Sequence, residues 1–249
     1  MSPNLVRLSE PGTTAVYLFP FAGASASSYW SWAELLPPGF EVSAVQLPGR
    51  QDRWQDPPYQ QFADLVDDLA DDIAAAAAGR PTVLVGHSMG AAIGYEVARQ
   101  LQARAVATPA LLAVSAAIAP HVAHDNMAVR QLSDPELIEL AGQGGWLPTT
   151  VLQTPELLEL VLPMLRADLE LIDDYRYIPG LRLTCPISVL GGRQDPLVPT
   201  AALESWRELT EHRATVRTFD GGHHYLWDHE HEVASALLAD LAAAEGTPR

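Results

Sequence analysis

A mostly parallel α/β sheet, flanked by helices and carrying a helical insertion, is the fold this sequence predicts. Three observations predict it. Short apolar runs rich in Val and Leu recur between amphipathic segments, as in strands covered on both faces. Strand and helix patterns alternate through the first half and again near the end, the order of a doubly wound sheet. From about residue 120 to 180 no buried strand pattern occurs, and helical spacing takes over. With 249 residues, 48% hydrophobic and 18% charged, the chain is expected to form a single domain over 1–249 with a helical lid at about 120–180.

In order, the strands are AVYLF (15–19), EVSAVQL (41–47), TVLVG (82–86), ALLAVS (110–115), PISVLGG (186–192) and TVRTF (215–219). A helix from about 59 to 78 carries Leu65, Leu69 and Ile73 at every fourth position, with Asp64, Asp67, Asp68, Asp71 and Asp72 on the other faces. That acidic face is expected to be solvated, and Gly79, Arg80 and Pro81 end the helix. After Ser88 a second helix turns Met89, Ala92, Ile93, Val97 and Leu101 inward. In the insertion, helices over 132–141 and 155–176 open with SDPE and TPE, both capping-like starts. Helices from about 200 to 210 and 230 to 244 complete the order.

Composition excludes several classes. A formal charge of −16, from fifteen Arg and no Lys against 31 acidic residues, leaves no basic face for nucleic acid. The single cysteine, Cys185, forms no intrachain disulfide or Cys-based zinc site and reads as a packed small residue, which fits a reducing, cytoplasmic location. Neither a secretory leader pattern nor an apolar run of membrane-spanning length appears, so no membrane association is expected. The segment HHYLWDHEH (223–231) gathers potential ligands, but His229 and His231 are two apart rather than three or four, so no metal site is expected.

The chemistry is expected at GHSMG (86–90), where an apolar strand meets a helix. In that setting G-x-S-x-G describes a tight turn that presents a serine, with the glycines avoiding neighbouring backbone and the helix N-terminus facing the reacting oxygen. Ser88 is the expected nucleophile, and a serine requires a base that is in turn oriented by an acid. His223, in the DGGH loop after the strand ending at Phe219, is the favoured base; His224 is its adjacent rival. Asp195, at the end of GGRQD (191–195), is the expected acid, while Asp220 suits a cap or turn and Asp173 and Asp174 suit surface charges. For an oxyanion, the amide of Met89 is one donor, and the loop after Phe19 supplies another from Phe21 or Ala22.

These segments, with FPFAGAS (19–25), QLPGRQDR (46–53), the lid phrase from Leu157 to Tyr177 and GGHHYL (221–226), cover nearly the whole chain in order. Together they resemble the stand-alone type II thioesterases that accompany polyketide synthases and nonribosomal peptide synthetases. The resemblance implies an α/β-hydrolase fold, a Ser88, His223, Asp195 triad, and hydrolysis of acyl thioesters on the phosphopantetheine arm of acyl or peptidyl carrier proteins. It implies no cofactor. Two segments depart from the family pattern: in one, Phe21 and Ala24 stand where a polar ring and a glycine are common, and in the other His224 stands where phenylalanine is common. Trp146, Leu158, Leu162, Met164 and Leu165 are expected to roof an acyl pocket, and Arg50 with Arg53, or Arg166 with Arg176, to offer basic contacts to an acidic carrier.

Overall fold

The strands are β1 (Leu5–Arg7), β2 (Thr14–Phe19), β3 (Phe40–Val45), β4 (Thr82–His87), β5 (Leu111–Ser115), β6 (Ile187–Gly192) and β7 (Ala214–Phe219). They form one sheet in the order β1-β3-β2-β4-β5-β6-β7, parallel except for β1, which runs antiparallel to β3. The structure, a computed structural model, describes residues 2–122, 127–147 and 149–245. β1 is absent from the sequence expectation because three residues are too short to show a pattern; pairing of Leu5 with Val45 defines it.

Successive residues of each strand point to opposite faces, and both faces are apolar. On β2, Tyr17 and Phe19 join one buried cluster, while Val16 and Leu18 join the other. The first is covered by α2 (Phe62–Ala77) and α3 (Met89–Ala103), through Leu65, Leu69, Ile73, Ile93 and Val97. The second is covered by α1 (Trp32–Leu35) and the C-terminal helix Glu230–Glu245, through Trp32, Val233 and Leu237. Asp64, Asp67, Asp68 and Asp71 of α2 are exposed, as expected, with Asp67 and Asp71 paired to Arg104, whereas Asp72 is half-buried and accepts from Ser2 and Asn4. Covering both faces is what lets the strands read as continuous apolar runs.

The insertion contains α4 (Asp134–Gln143), α5 (Thr149–Leu152) and α6 (Pro155–Asp173). At Ser133 the start of α4 behaves as its sequence promises, the Ser133 N–H donating to Glu136 Oε2 at 2.7 Å. Thr154 does not cap α6; its hydroxyl donates back to the Thr150 carbonyl at 2.8 Å. The expected helix at 200–210 is instead a 3₁₀ helix, Thr200–Leu209. Its buried residues are Leu203, Trp206 and Leu209, a spacing of three that matches three residues per turn. A single-turn helix, α7 (Tyr225–Asp228), and the sixteen-residue α8 (Glu230–Glu245) follow the loop after β7. Among the described residues no helix is long and apolar enough to cross a membrane.

Candidate active site

All the parallel strands end at one edge of the sheet, where open α/β sheets place their chemistry. Ser88 follows β4 directly and has φ 55° and ψ −120°, a conformation an L-residue adopts only where its surroundings force it. The forcing is steric. A Cβ on Gly86 would lie 2.0 Å from the Gly90 carbonyl oxygen, and one on Gly90 would lie 2.2 Å from the Phe19 carbonyl oxygen. β4 and α3 therefore meet so closely that only glycines fit on either side of the serine.

Asp195 and His223 converge on it from the loops after β6 and β7. Asp195 Oδ1 accepts the Leu197 and Val198 N–H groups at 2.8 and 3.2 Å, which holds the carboxylate in place. Its other oxygen lies 2.9 Å from His223 Nδ1, and His223 Nε2 lies 3.0 Å from Ser88 Oγ. Because a carboxylate only accepts, Nδ1 carries the proton, Nε2 is left as an acceptor, and Ser88 Oγ–H donates to it. The Asp195 and His223 side chains are both buried, so the bond between them is shielded from water. This arrangement can take a proton from Ser88 at the moment its oxygen attacks an electrophile.

His224 turns elsewhere. Its Nε2–H donates to the Trp146 carbonyl in the lid, at 3.3 Å. Burial, then the neighbouring His223, pushes its pKa down to about 4, so it is neutral near neutral pH. Its ring and that of Phe21 meet edge to face with centroids 4.9 Å apart, and Trp227 packs against both. The two departures from the family pattern thus touch each other. Ala24 is not at the mouth of the pocket; it is buried, and its carbonyl accepts from Arg50. Behind Ser88, His87 is bonded through Nδ1 to Ser115 Oγ at 2.9 Å, and Ser115 Oγ to Tyr225 Oη at 2.7 Å, a polar chain absent from the sequence reading. Burial and the two neighbouring histidines hold His87 well below its usual pKa.

A cavity of about 360 Å³ opens beside this line. Ser88, His223, Met89, Phe21 and Ala22 all border it, and its walls include Ala92, Ile118, Trp146, Leu169, Ile172 and Tyr175. Of the five expected roof residues, Trp146 alone is among its lining. Leu158 and Leu162 border a separate hollow on the outside of the lid, and Leu165 is fully buried. The apolar face of α6 was legible, but its C-terminal turns, not its middle, lie over the site.

The arginines also correct the sequence reading. Arg50 is buried, not presented to a partner. Its guanidinium donates to both oxygens of Asp168 on α6, at 2.8 and 2.7 Å, and to the Ala24 carbonyl at 2.6 Å. Asp168 Oδ2 also accepts the Gly23 N–H at 2.8 Å. One buried ion pair therefore ties the lid helix to the loop carrying Phe21 and Ala22. Arg53 is also drawn inward, bonded to Asp56, Asn4 and the Gln46 carbonyl. Arg166 bonds the Val129 and Leu132 carbonyls and Asp134, leaving Arg176 as the exposed member of the four. Asp173 is likewise not a surface charge: its two oxygens accept the Met127 and Val129 N–H groups at 2.7 and 3.0 Å. Asp220 pairs with Arg193 at 2.6 Å, and Cys185 is buried with its thiol pushed up to about 12.

The thioesterase domain family matches residues 14–241. The chain belongs to the thioesterase family. This thioesterase is 37% identical to "Thioesterase PikA5" of Streptomyces venezuelae, over 92% of this chain and 81% of that protein. It is 31% identical to "Gramicidin S biosynthesis protein GrsT" of Aneurinibacillus migulanus, over 91% of this chain and 88% of the relative. Among solved structures it is similar to the type II thioesterase BorB of the borrelidin biosynthetic cluster, with TM-score 0.87 and 34% identity over 95% of this chain and 97% of that one. The thioesterase thus has the α/β-hydrolase fold and is a hydrolase acting on thioesters.

Proposed function

We propose that this thioesterase edits polyketide or nonribosomal peptide assembly, hydrolysing aberrant acyl groups from the phosphopantetheine arm of acyl or peptidyl carrier proteins. The observation that carries the reading is the hydrogen-bonded line Asp195, His223, Ser88 at the mouth of a largely apolar cavity of about 360 Å³. Similar proteins named for biosynthetic pathways, GrsT for gramicidin S and BorB for the borrelidin cluster, support the pathway class.

In this mechanism Ser88 Oγ attacks the acyl carbonyl carbon while its proton passes to His223 Nε2, and Asp195 stabilises the imidazolium. The oxyanion is met by the Met89 N–H at the start of α3 and by a second N–H from Phe21 or Ala22. Collapse breaks the carbon–sulfur bond, and the pantetheine sulfur leaves with the proton held by His223. A thiolate is a better leaving group than an amine, so this step asks less of the acid than peptide cleavage does. Water, losing a proton to His223, then attacks the acyl-serine; collapse breaks the bond between the acyl carbon and Ser88 Oγ, His223 returns the proton to Oγ, and the carboxylic acid departs.

Ser88→Ala is expected to lower acyl-carrier hydrolysis by about 10³-fold or more, with no acyl-enzyme detected by intact-protein mass spectrometry. Unchanged turnover overturns the triad. Slow, broad hydrolysis of acetyl- and propionyl-carriers is the expected wild-type profile. A narrow preference for one long or cyclisable chain would instead assign the enzyme to product release.

A further inference from the structure

A second cavity, of about 510 Å³, lies on the far side of Tyr175 from the catalytic serine. The two cavities follow one face of α3. Met89 and Ala92 border the catalytic cavity; Glu96, Arg99, Gln100 and Ala103 border the second. Met89, Ala92, Glu96, Arg99 and Ala103 recur at intervals of three and four, with Gln100 and Gln102 beside them, and Ala92 and Glu96 are about 6 Å apart along the axis at ~1.5 Å per residue. The end of the lid divides in the same way: Leu169, Ile172 and Asp173 face the catalytic cavity, while Asp174 and Arg176 face the other. Among the described lining residues, Tyr175 is common to both.

The Tyr175 ring is held rigidly in that position. It packs on Phe62 of α2 with centroids 4.4 Å apart, and its hydroxyl donates to Glu96 Oε1 at 2.5 Å. Glu96 is fixed in turn by Arg99, which donates to both of its oxygens at 3.0 Å. Tyr175 is itself buried. A wall clamped by both a packed, tilted ring and a charge-assisted hydrogen bond does not yield to an incoming methyl group as a lone flexible side chain would. Beyond it the second cavity has apolar surface in Phe62, Ala63, Val66 and Ala103, with exposed Ile178 and Leu181 at its border.

We infer that Tyr175 is the end wall of the acyl site and sets the longest chain the enzyme accepts, and that the second cavity is a latent extension reached when the ring is removed. The inference rests on the acyl-thioester reading of the Ser88 site. It assigns the substrate class as short acyl groups, whose terminal carbons stop at the Tyr175 ring.

The experiment is a kcat/KM series on acyl-carrier thioesters from acetyl to dodecanoyl for the wild type, Tyr175→Phe, Tyr175→Leu and Tyr175→Ala. The wild type is expected to fall off with chain length, and Tyr175→Phe to keep that profile because the ring remains. Tyr175→Ala is expected to raise the dodecanoyl-to-propionyl ratio by about tenfold or more, the scale on which methylene contacts in an apolar pocket discriminate. Tyr175→Leu should move the ratio in the same direction by less, and it keeps an apolar contact with Phe62 if the alanine variant fails to fold. Adding Val66→Phe to Tyr175→Ala should refill the second cavity and return the ratio toward wild type. An equal fall at every chain length, an unchanged ratio in folded variants, or a wild type that turns over dodecanoyl as fast as propionyl overturns the wall. A wild type inert to every thioester overturns instead the reading beneath it.

Discussion

The sheet edge that carries Ser88 and the lid that covers it are held by different kinds of contact. All six residues of β4 are buried between β2 and β5, and the turn at Ser88 is fixed by backbone in contact with backbone at Gly86 and Gly90. On the nineteen-residue α6, by contrast, Leu165, Asp168, Leu169 and Leu171 are the buried residues. The lid packs Leu137, Ala141, Leu147, Leu165, Leu169 and Leu171 on the apolar core, and a few polar ties fix its position further: Asp168 to Arg50 and Gly23, Asp173 to Met127 and Val129, and His224 to Trp146. Apolar packing spread over many neighbours survives the loss of one contact better than a single buried carboxylate does. The turn at Ser88 is therefore robust by construction, whereas the roof of the cavity beside it depends also on individual side chains.

The strongest way to break this contrast is Asp168→Ala. It leaves the Arg50 guanidinium buried without its partner and the Gly23 N–H without an acceptor, and is expected to cost about 3–5 kcal/mol. Chemical denaturation measures the loss. A cost below about 1 kcal/mol would mean that apolar packing holds the lid just as it holds the sheet.

A smaller effect, dependent on pH, is expected at His224. Its folded pKa of about 4 lies below the ordinary histidine value of 6.5. Between these values the unfolded chain binds more protons, so the stabilisation is complete above pH 6.5 and is lost as pH falls toward 4. His224→Phe should remove part of that acid loss, on the order of 2 kcal/mol, seen as a smaller drop in melting temperature from pH 7.5 to 4.5. His87, also shifted down, retains the remainder. An identical pH profile in the variant would show that His224 is not desolvated by the lid.

The smallest expected change is Asp173→Asn, which keeps one carbonyl acceptor and sets an amide donor against the other backbone N–H. A cost of about 1–2 kcal/mol is expected, with faster hydrogen exchange at Met127 and Val129 and unchanged exchange in β4 and β5. Equal acceleration in the strands would mean that lid and sheet open together.

The sequence determined the parallel sheet, the elbow at Ser88 and the order of its partners, because buried strands and tight turns leave local signatures: unbroken apolar runs, paired glycines, loops at strand ends. GHSMG, GGRQD and DGGH could each be located without knowing what lies across the sheet. Only the tertiary structure separated His223 from His224, since adjacent loop residues diverge according to what each meets in space: Asp195 and Ser88 for one, the Trp146 carbonyl for the other. It also took Arg50 and Asp173 away from the surface and moved the roof of the cavity to the end of α6. A charged residue looks alike in sequence whether it faces water or a partner 118 positions away, as Arg50 faces Asp168. The same holds for Tyr175, whose place between two cavities is set by Phe62 and Glu96, residues from two other helices.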